Sequence, residues 1–448
     1  MGEPDRLRKA ATAIATVLLL AAVGAGVAAG AVVGDGASAA GNRAPASAPA
    51  DGHEVVTWAA APASLGPLPG LGVPDVPAVR GAAAPPVSPA SYRTVRNAVH
   101  TSVGGWNPRV RLSNAFGAGP VTFDDAEMAL PDPSGQPGPG RRLTFGGQDG
   151  VTIPPGAEVL SDPLPGYLPQ ETTLTVSLHV ARGGGPVTGH PSARQVSYLS
   201  PAGDYAAAGP AIAWFPIGRW LYLDGVVVTA PRTVGTVVTL GDSITDGITS
   251  AMDANTRWPD DLARGILARP RGRQLAVANE GLSSNRVTAS GIGLGGGPAG
   301  PSALARFDRD VLAQPGVTTV ILQEGINDIG EGTVTAAGQL IAADSQLIAQ
   351  AHAAGLRILG GTLTPFDGAG YYSPVKELIR QRVNAWIRGS GAFDGVVDFD
   401  QAVRDPVCPS RLAPAYDSGD HIHPDGAGFA AMAAAVSPAL LTPSGRNG

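Results

Sequence analysis

Residues 234–247 read VGTVVTLGDSITDG. Thr236 to Leu240 is a short apolar run rich in β-branched residues, the pattern of a strand buried on both faces. Gly241 then breaks into a polar turn that carries Asp242 and Ser243 to the start of a predicted helix. A serine at such a turn is held at the carboxyl edge of a sheet, where the free N–H groups of a helix start can face developing negative charge.

Downstream, the same alternation repeats. Trp258 to Ala268 is predicted helical, Leu275 to Ala278 a second strand, Val317 to Leu322 a third and Val334 to Ala354 a long helix. Arg357 to Thr362 is the fourth strand, and Val375 to Ile387 a helix with Leu378, Ile379, Val383 and Trp386 at core spacing. Val396 to Phe399 is the fifth strand, and Ala427 to Ala435 opens the last helix. Strands alternating with helices predict a parallel sheet covered on both faces, with sites at the carboxyl ends of its strands.

Upstream the pattern changes. In residues 171–180, Leu174, Val176, Leu178 and Val180 share one face while Thr173, Thr175, Ser177 and His179 share the other, which predicts a half-buried strand. Val110 and Leu112 alternate in the same way with Arg109, Arg111 and Ser113, and Tyr92 to Val103 and Gly225 to Thr229 also read as strands. Gly/Pro punctuation such as residues 132–138 (DPSGQPG) separates them. Residues 54–232 are therefore expected to be an all-β sandwich or jelly-roll-like domain, and 233–443 an α/β domain followed by a tail, 444–448. Residues 60–90, rich in Pro, Gly and Ala, are expected to be a surface excursion.

The first 39 residues read as a leader. Arg6, Arg8 and Lys9 precede an uncharged run from Ala10 to Gly34, and Ala37-Ser38-Ala39 has the small-x-small form that a signal peptidase needs. A retained membrane anchor is the alternative; the Ala and Gly content of the run favours cleavage, and with it a secreted protein. Residues 40–53 read as a linker. With 44% hydrophobic and 15% charged residues the chain can bury sizeable cores. A net charge of −6 without a basic stripe argues against a nucleic-acid partner. The single cysteine, Cys408, excludes an intrachain disulfide and is expected to be a buried small apolar residue.

Three further segments carry chemistry. Residues 420–426 (DHIHPDG) precede the last helix. A serine hydroxyl needs a base within hydrogen-bond reach, and His423 is the candidate, with Asp420 three residues earlier to hold its other ring nitrogen. His421 competes, but adjoins Asp420 directly, and neighbouring side chains diverge. Asp420, His421 and His423 are also conceivable metal ligands, although no H-E-x-x-H or cysteine cluster accompanies them. Residues 323–328 (QEGIND) end the third strand and offer the Asn327 amide as an oxyanion donor. Residues 279–285 (NEGLSSN) end the second, where Gly281 would let a backbone N–H approach closely. Alone, each is a Gly/Asn turn.

Taken in order, Gly-Asp-Ser, Gly, Gly-x-Asn-Asp and Asp-x-x-His-Pro, each at a predicted strand end, resemble the blocks of the SGNH (GDSL-like) hydrolase superfamily over residues 233–443. The resemblance implies a flavodoxin-like three-layer α/β/α fold without metal or cofactor. It implies Ser243 as nucleophile, His423 as base, Asp420 as orienting acid, and an oxyanion hole of the Ser243 and Gly281 N–H groups with the Asn327 side chain. Ile244 replaces the family's Leu, and Ser284 stands where many members have a second Gly. Residues 57–60 (TWAA), 110–114 (VRLSN) and 188–191 (TGHP) resemble exported two-domain members grouped with an acylhydrolase of xylan degradation. The expected activity is hydrolysis of short acyl esters or acetylated carbohydrate. The rivals are a lipid-directed lipase or transacylase, membrane-bound if the leader is retained, and a glycan-binding protein with an inactive hydrolase domain. His100, His179, His190 and His352 are expected to be surface or structural, a place lining the domain interface being the alternative for His190, and Arg306, Asp308 and Asp310 to make surface ion pairs. The glycine run from Gly291 to Gly300 reads as a flexible loop.

Overall fold

Five parallel strands form the centre of the α/β region: Gly235–Gly241, Leu275–Gly281, Val317–Gln323, Arg357–Gly361 and Gly395–Val397. The computed structural model describes residues 47–65, 92–183, 185–209, 212–269, 274–293 and 298–441. The expected leader, the start of the linker and the tail 444–448 lie outside these residues, as do 66–90 of the predicted excursion and 294–297 of the glycine run.

In the sheet the second strand lies beside the first, followed by the third, fourth and fifth, all parallel. This doubly wound order reverses between the first and third strands, where open α/β sheets place their ligands. Register brings the strand ends level, because Gly241 pairs with both Gly281 and Gln323. Helix Trp258–Leu267 packs on Gly426–Ala435, and Ala337–Ala353 on Pro374–Gly389, and all four contribute to one core with the strands. The fold is mixed α/β, as expected.

Element bounds follow the apolar pattern closely, with local exceptions. Leu378 stands 54% exposed on the helix that was to bury it, while Ile379 and Val383 are in the core. The last helix starts at Gly426 with Asp425 as its N-cap, accepting from the Gly428 N–H, so Pro424 precedes the cap. Ala303–Phe307 and the π-helical turn Asp308–Leu312 were not anticipated.

Upstream, two larger antiparallel sheets and a three-stranded one, which holds Thr188–His190, contribute to one apolar core. Leu174, Val176, Leu178 and Val180 are fully buried, as the alternation requires, but Thr175, Ser177 and His179 are at most 9% exposed. The strand is central, and its polar face is covered too: Ser177 Oγ accepts from Arg96 Nε at 2.9 Å and His179 Nδ1 lies 2.6 Å from Asp124. Residues 60–63 are buried rather than a surface excursion.

The described residues form one compact unit. Val56 and Ala59 of the β region belong to the α/β core, and Ala276 of the α/β region to the β core. The edge strand Leu275–Gly281 is thereby covered, its Val277 N–H donating to Ser102 Oγ at 3.1 Å. One polar chain crosses the same seam: Arg111, which holds Asp224 (2.9 Å), donates to Gln314 (3.3 Å), which in turn donates to Glu280 Oε1 (2.9 Å).

Candidate active site

Asp242 caps the single-turn helix Ser243–Asp246, its carboxylate accepting from the Ile244 N–H at 3.0 Å. Ser243 occupies the first helical position, directly beyond the end of the first parallel strand. Its Oγ lies 2.8 Å from His423 Nε2. His423 Nδ1 lies 2.6 Å from Asp420 Oδ2, and the other Asp420 oxygen accepts from the N–H groups of Ile422 (3.1 Å) and His423 (2.9 Å). A hydroxyl and an imidazole 180 residues apart in sequence, with the carboxylate three residues before the imidazole, form one continuous chain of hydrogen bonds. Burial pushes the Asp420 carboxyl up, but the hydrogen bond and charge of His423, with those two N–H groups, outweigh it and hold the group well below the usual carboxylate range.

His421 is not part of that chain. It adopts a left-handed backbone (φ 65°), and its Nδ1 lies 2.6 Å from Asp417 Oδ2. The divergence of neighbouring side chains that favoured His423 is thus realised. Among the described residues no group of three or more His, Cys, Asp or Glu is arranged to hold a metal ion.

On the oxyanion side, Asn327 lies just beyond the third strand. Its Nδ2 donates to Asn285 O at 3.0 Å, and its Oδ1 accepts from the Tyr371 hydroxyl at 3.2 Å, which fixes the direction of the amide. Asp328 draws in the same loop, accepting from the N–H groups of Val287 (2.8 Å) and Thr288 (2.9 Å). Gly281 does not fill its expected role. Its N–H already donates to Asn279 Oδ1 at 2.9 Å, and a Cβ there would overlap the Asp246 backbone. This glycine lets the Ser243 helix sit against the second strand. The loop's candidate donor is Ser284, which has φ 63° and whose N–H meets no acceptor among the described residues.

Residues 239–431, which span all of these groups except the β-region contacts, match the model of the GDSL-like Lipase/Acylhydrolase family. The chain carries a GDSL-like hydrolase domain. That match supports a carboxylic ester hydrolase. No curated protein matches the chain. Solved structures similar to the GDSL-like domain include a lipolytic protein of the G-D-S-L family from Desulfitobacterium hafniense (20% identity, 46% of this chain and 98% of that one, TM-score 0.35). A GDSL-like lipase from Bacteroides thetaiotaomicron is also similar (20%, 46% and 87%, 0.34), as is an acetylxylan esterase from Geobacillus stearothermophilus (21%, 45% and 91%, 0.34).

The GDSL-like domain also uses residues that motif reading did not assign. Arg306, expected at the surface, is fully buried. It donates to Gly241 O (3.0 Å), Glu280 O (2.7 Å), Asn285 Oδ1 (2.8 Å), Asp310 (3.1 Å) and Glu324 (3.4 Å). One guanidinium thus ties the ends of three strands together, a geometry its planar fork suits. Burial pushes the Glu324 carboxyl up to about 8, against the lowering effect of Arg306, and pushes Asp242 up to about 7. Cys408, expected to be buried, is exposed. No sequence signal marks Tyr371; Asp246 stood inside the first motif without a role.

Proposed function

We propose that this protein is an exported serine esterase in which Ser243, His423 and Asp420 form the catalytic triad. The observation that carries this reading is the unbroken path from Ser243 Oγ through both nitrogens of His423 to Asp420, at 2.8 and 2.6 Å. His423 Nε2 takes the hydroxyl proton as Oγ bonds to the ester carbonyl carbon, and returns it to the departing alkoxide, which leaves as alcohol. Water then attacks the acyl-enzyme, giving its proton to the same nitrogen. The acid is released, and the proton returns to Ser243. Asp420 fixes the ring and offsets the charge that it gains. The Ser243 N–H, the Asn327 amide and the Ser284 N–H are the donors for the tetrahedral oxyanion.

Short acyl esters, including acetylated carbohydrate, are the favoured substrates. The resemblance of the β region to exported acylhydrolases supports this, as does an open rim: the Asp420 side chain is 46% exposed, leaving room for a bulky alcohol. Export rests on the leader at residues 1–39; among the described residues no helix is long and apolar enough to cross a membrane.

The test is a series of nitrophenyl esters from acetyl to palmitoyl, with an acetylated xylo-oligosaccharide alongside, for the native protein and Ser243→Ala. Acetyl and propionyl esters are expected to turn over fastest, with no turnover by the variant. A maximum at long chains would establish the lipase alternative, and an active Ser243→Ala would remove the nucleophile.

A further inference from the structure

The β region reaches the helix that carries Ser243. His190, on the strand Thr188–His190, has a side chain only 2% exposed, and its Nε2 lies 3.0 Å from Asp246 Oδ1. Asp246, 1% exposed, is the last residue of the helix that Ser243 opens. Its other oxygen accepts from both the N–H (3.0 Å) and the hydroxyl (2.5 Å) of Ser283. Ser283 immediately precedes Ser284, in a turn closed by the Asn285 N–H donating to Leu282 O at 3.0 Å. A chain of hydrogen bonds thus runs from the β sandwich, through the nucleophile's helix, into the loop that faces Asn327.

His190 is itself fixed from three sides. The Ala61 carbonyl, 2.9 Å from Nδ1, can only accept, so that nitrogen carries a hydrogen. The ring lies 5.3 Å from Trp220, which donates to Ala98 O at 2.6 Å. Neighbouring residues brace the same place: Arg257 donates to Ala193 O, Arg194 to Ser250 O, and the Val196 N–H to Asp253 (2.7 Å). Residues 188–196 therefore hold the Ser243 helix and the loop after it against the sandwich.

We propose that His190 is a positioning residue for ester hydrolysis: through Asp246 it clamps Ser283 and so sets the 282–285 loop at the height of the acyl oxygen. The inference rests on the catalytic reading given above and assigns part of that site to the β region. A donor misplaced by about 1 Å costs on the order of a hundredfold in rate, so a relay that fixes the loop acts on turnover rather than on substrate affinity. Asp246 is engaged on both oxygens, by His190 on one and twice by Ser283 on the other, and has no freedom left to pass to the loop.

The experiment measures kcat and KM for nitrophenyl acetate, per folded molecule, in His190→Leu, Ser283→Ala, their double variant and His190→Gln, whose amide can still donate to Asp246. Each of the first two is expected to lower kcat about tenfold with KM within about twofold. The double variant should be little worse than the poorer single, because both break one chain, and His190→Gln should recover to within about threefold. Unchanged kcat per folded molecule, whether or not Tm falls, would overturn the proposal and leave a purely structural pair. So would losses that multiply to about a hundredfold. If His190→Leu does not fold, His190→Phe, which keeps an aromatic ring against Trp220 but cannot donate to Asp246, takes its place in the same comparison. Amide hydrogen exchange over residues 279–288 reads the clamp without substrate: faster exchange in Ser283→Ala and in His190→Leu or His190→Phe supports it, and unchanged exchange in these variants overturns it. If the native protein hydrolysed no ester, the catalytic reading would fail, and with it the proposed role in hydrolysis.

Discussion

Two segments each bring a histidine to the Ser243 helix, paired with an aspartate from its own segment in one case and from the helix in the other, and the two pairs differ in setting. At the 417–425 rim, His423 and Asp420 have side chains 18% and 46% exposed, and one ring nitrogen points at a hydroxyl. At the 188–196 seam, His190 and Asp246 are 2% and 1% exposed, and the acceptors around the ring are a carbonyl and a carboxylate. In the proposed mechanism the same two residue types move a proton in one place and hold a loop in the other. What separates them is the third partner and access to water. A histidine beside an aspartate is thus no indication of catalysis until the atom on its far nitrogen is known.

That contrast can be broken or sharpened by substitution. His423→Ala should lower kcat for nitrophenyl acetate by at least about 10⁴-fold, as loss of the base does in serine hydrolases. Retained activity would leave the two pairs without a functional difference. Asn327→Ala should cost about a hundredfold in kcat with little change in KM, the usual loss for one oxyanion donor. An effect confined to KM would instead make Asn327 a ground-state contact. His421→Ala should change kcat by less than about twofold, since its ring faces Asp417 and not Ser243. A loss matching that of His423→Ala would show that the rim works through both rings.

Much of this was legible in residues 234–247 and their repeats downstream. Strands buried on both faces must be apolar along their length, so Thr236–Leu240 and Val317–Leu322 stand out from helices whose polar faces break the run. The rim pair was legible because its spacing of three is local, and the same local geometry excluded His421. The seam pair was not, because nothing local links His190 to Asp246, 56 positions later; their meeting depends on how the sandwich docks on the edge strand. Arg306 misled for a related reason. Its neighbours Asp308 and Asp310 suggested a solvated run, but the π-helical turn leaves Asp308 exposed and turns Asp310 inward with the guanidinium. Gly281 was chosen correctly as a position of close approach, but what approaches is the backbone of Asp246, not the substrate. The exposure of Cys408 follows from a surface loop between helix Phe399–Val403 and the rim, where Asp405 accepts from its N–H at 3.0 Å.

The central claim is that one hydroxyl is made nucleophilic by one imidazole, and covalent capture tests it most directly. Intact protein is treated with a fluorophosphonate, and the adduct is located by peptide mass spectrometry. A single adduct on Ser243 is expected, formed as activity is lost and absent in His423→Ala over the same time. An adduct on another residue, or equally fast labelling of Ser243 without His423, would contradict the account.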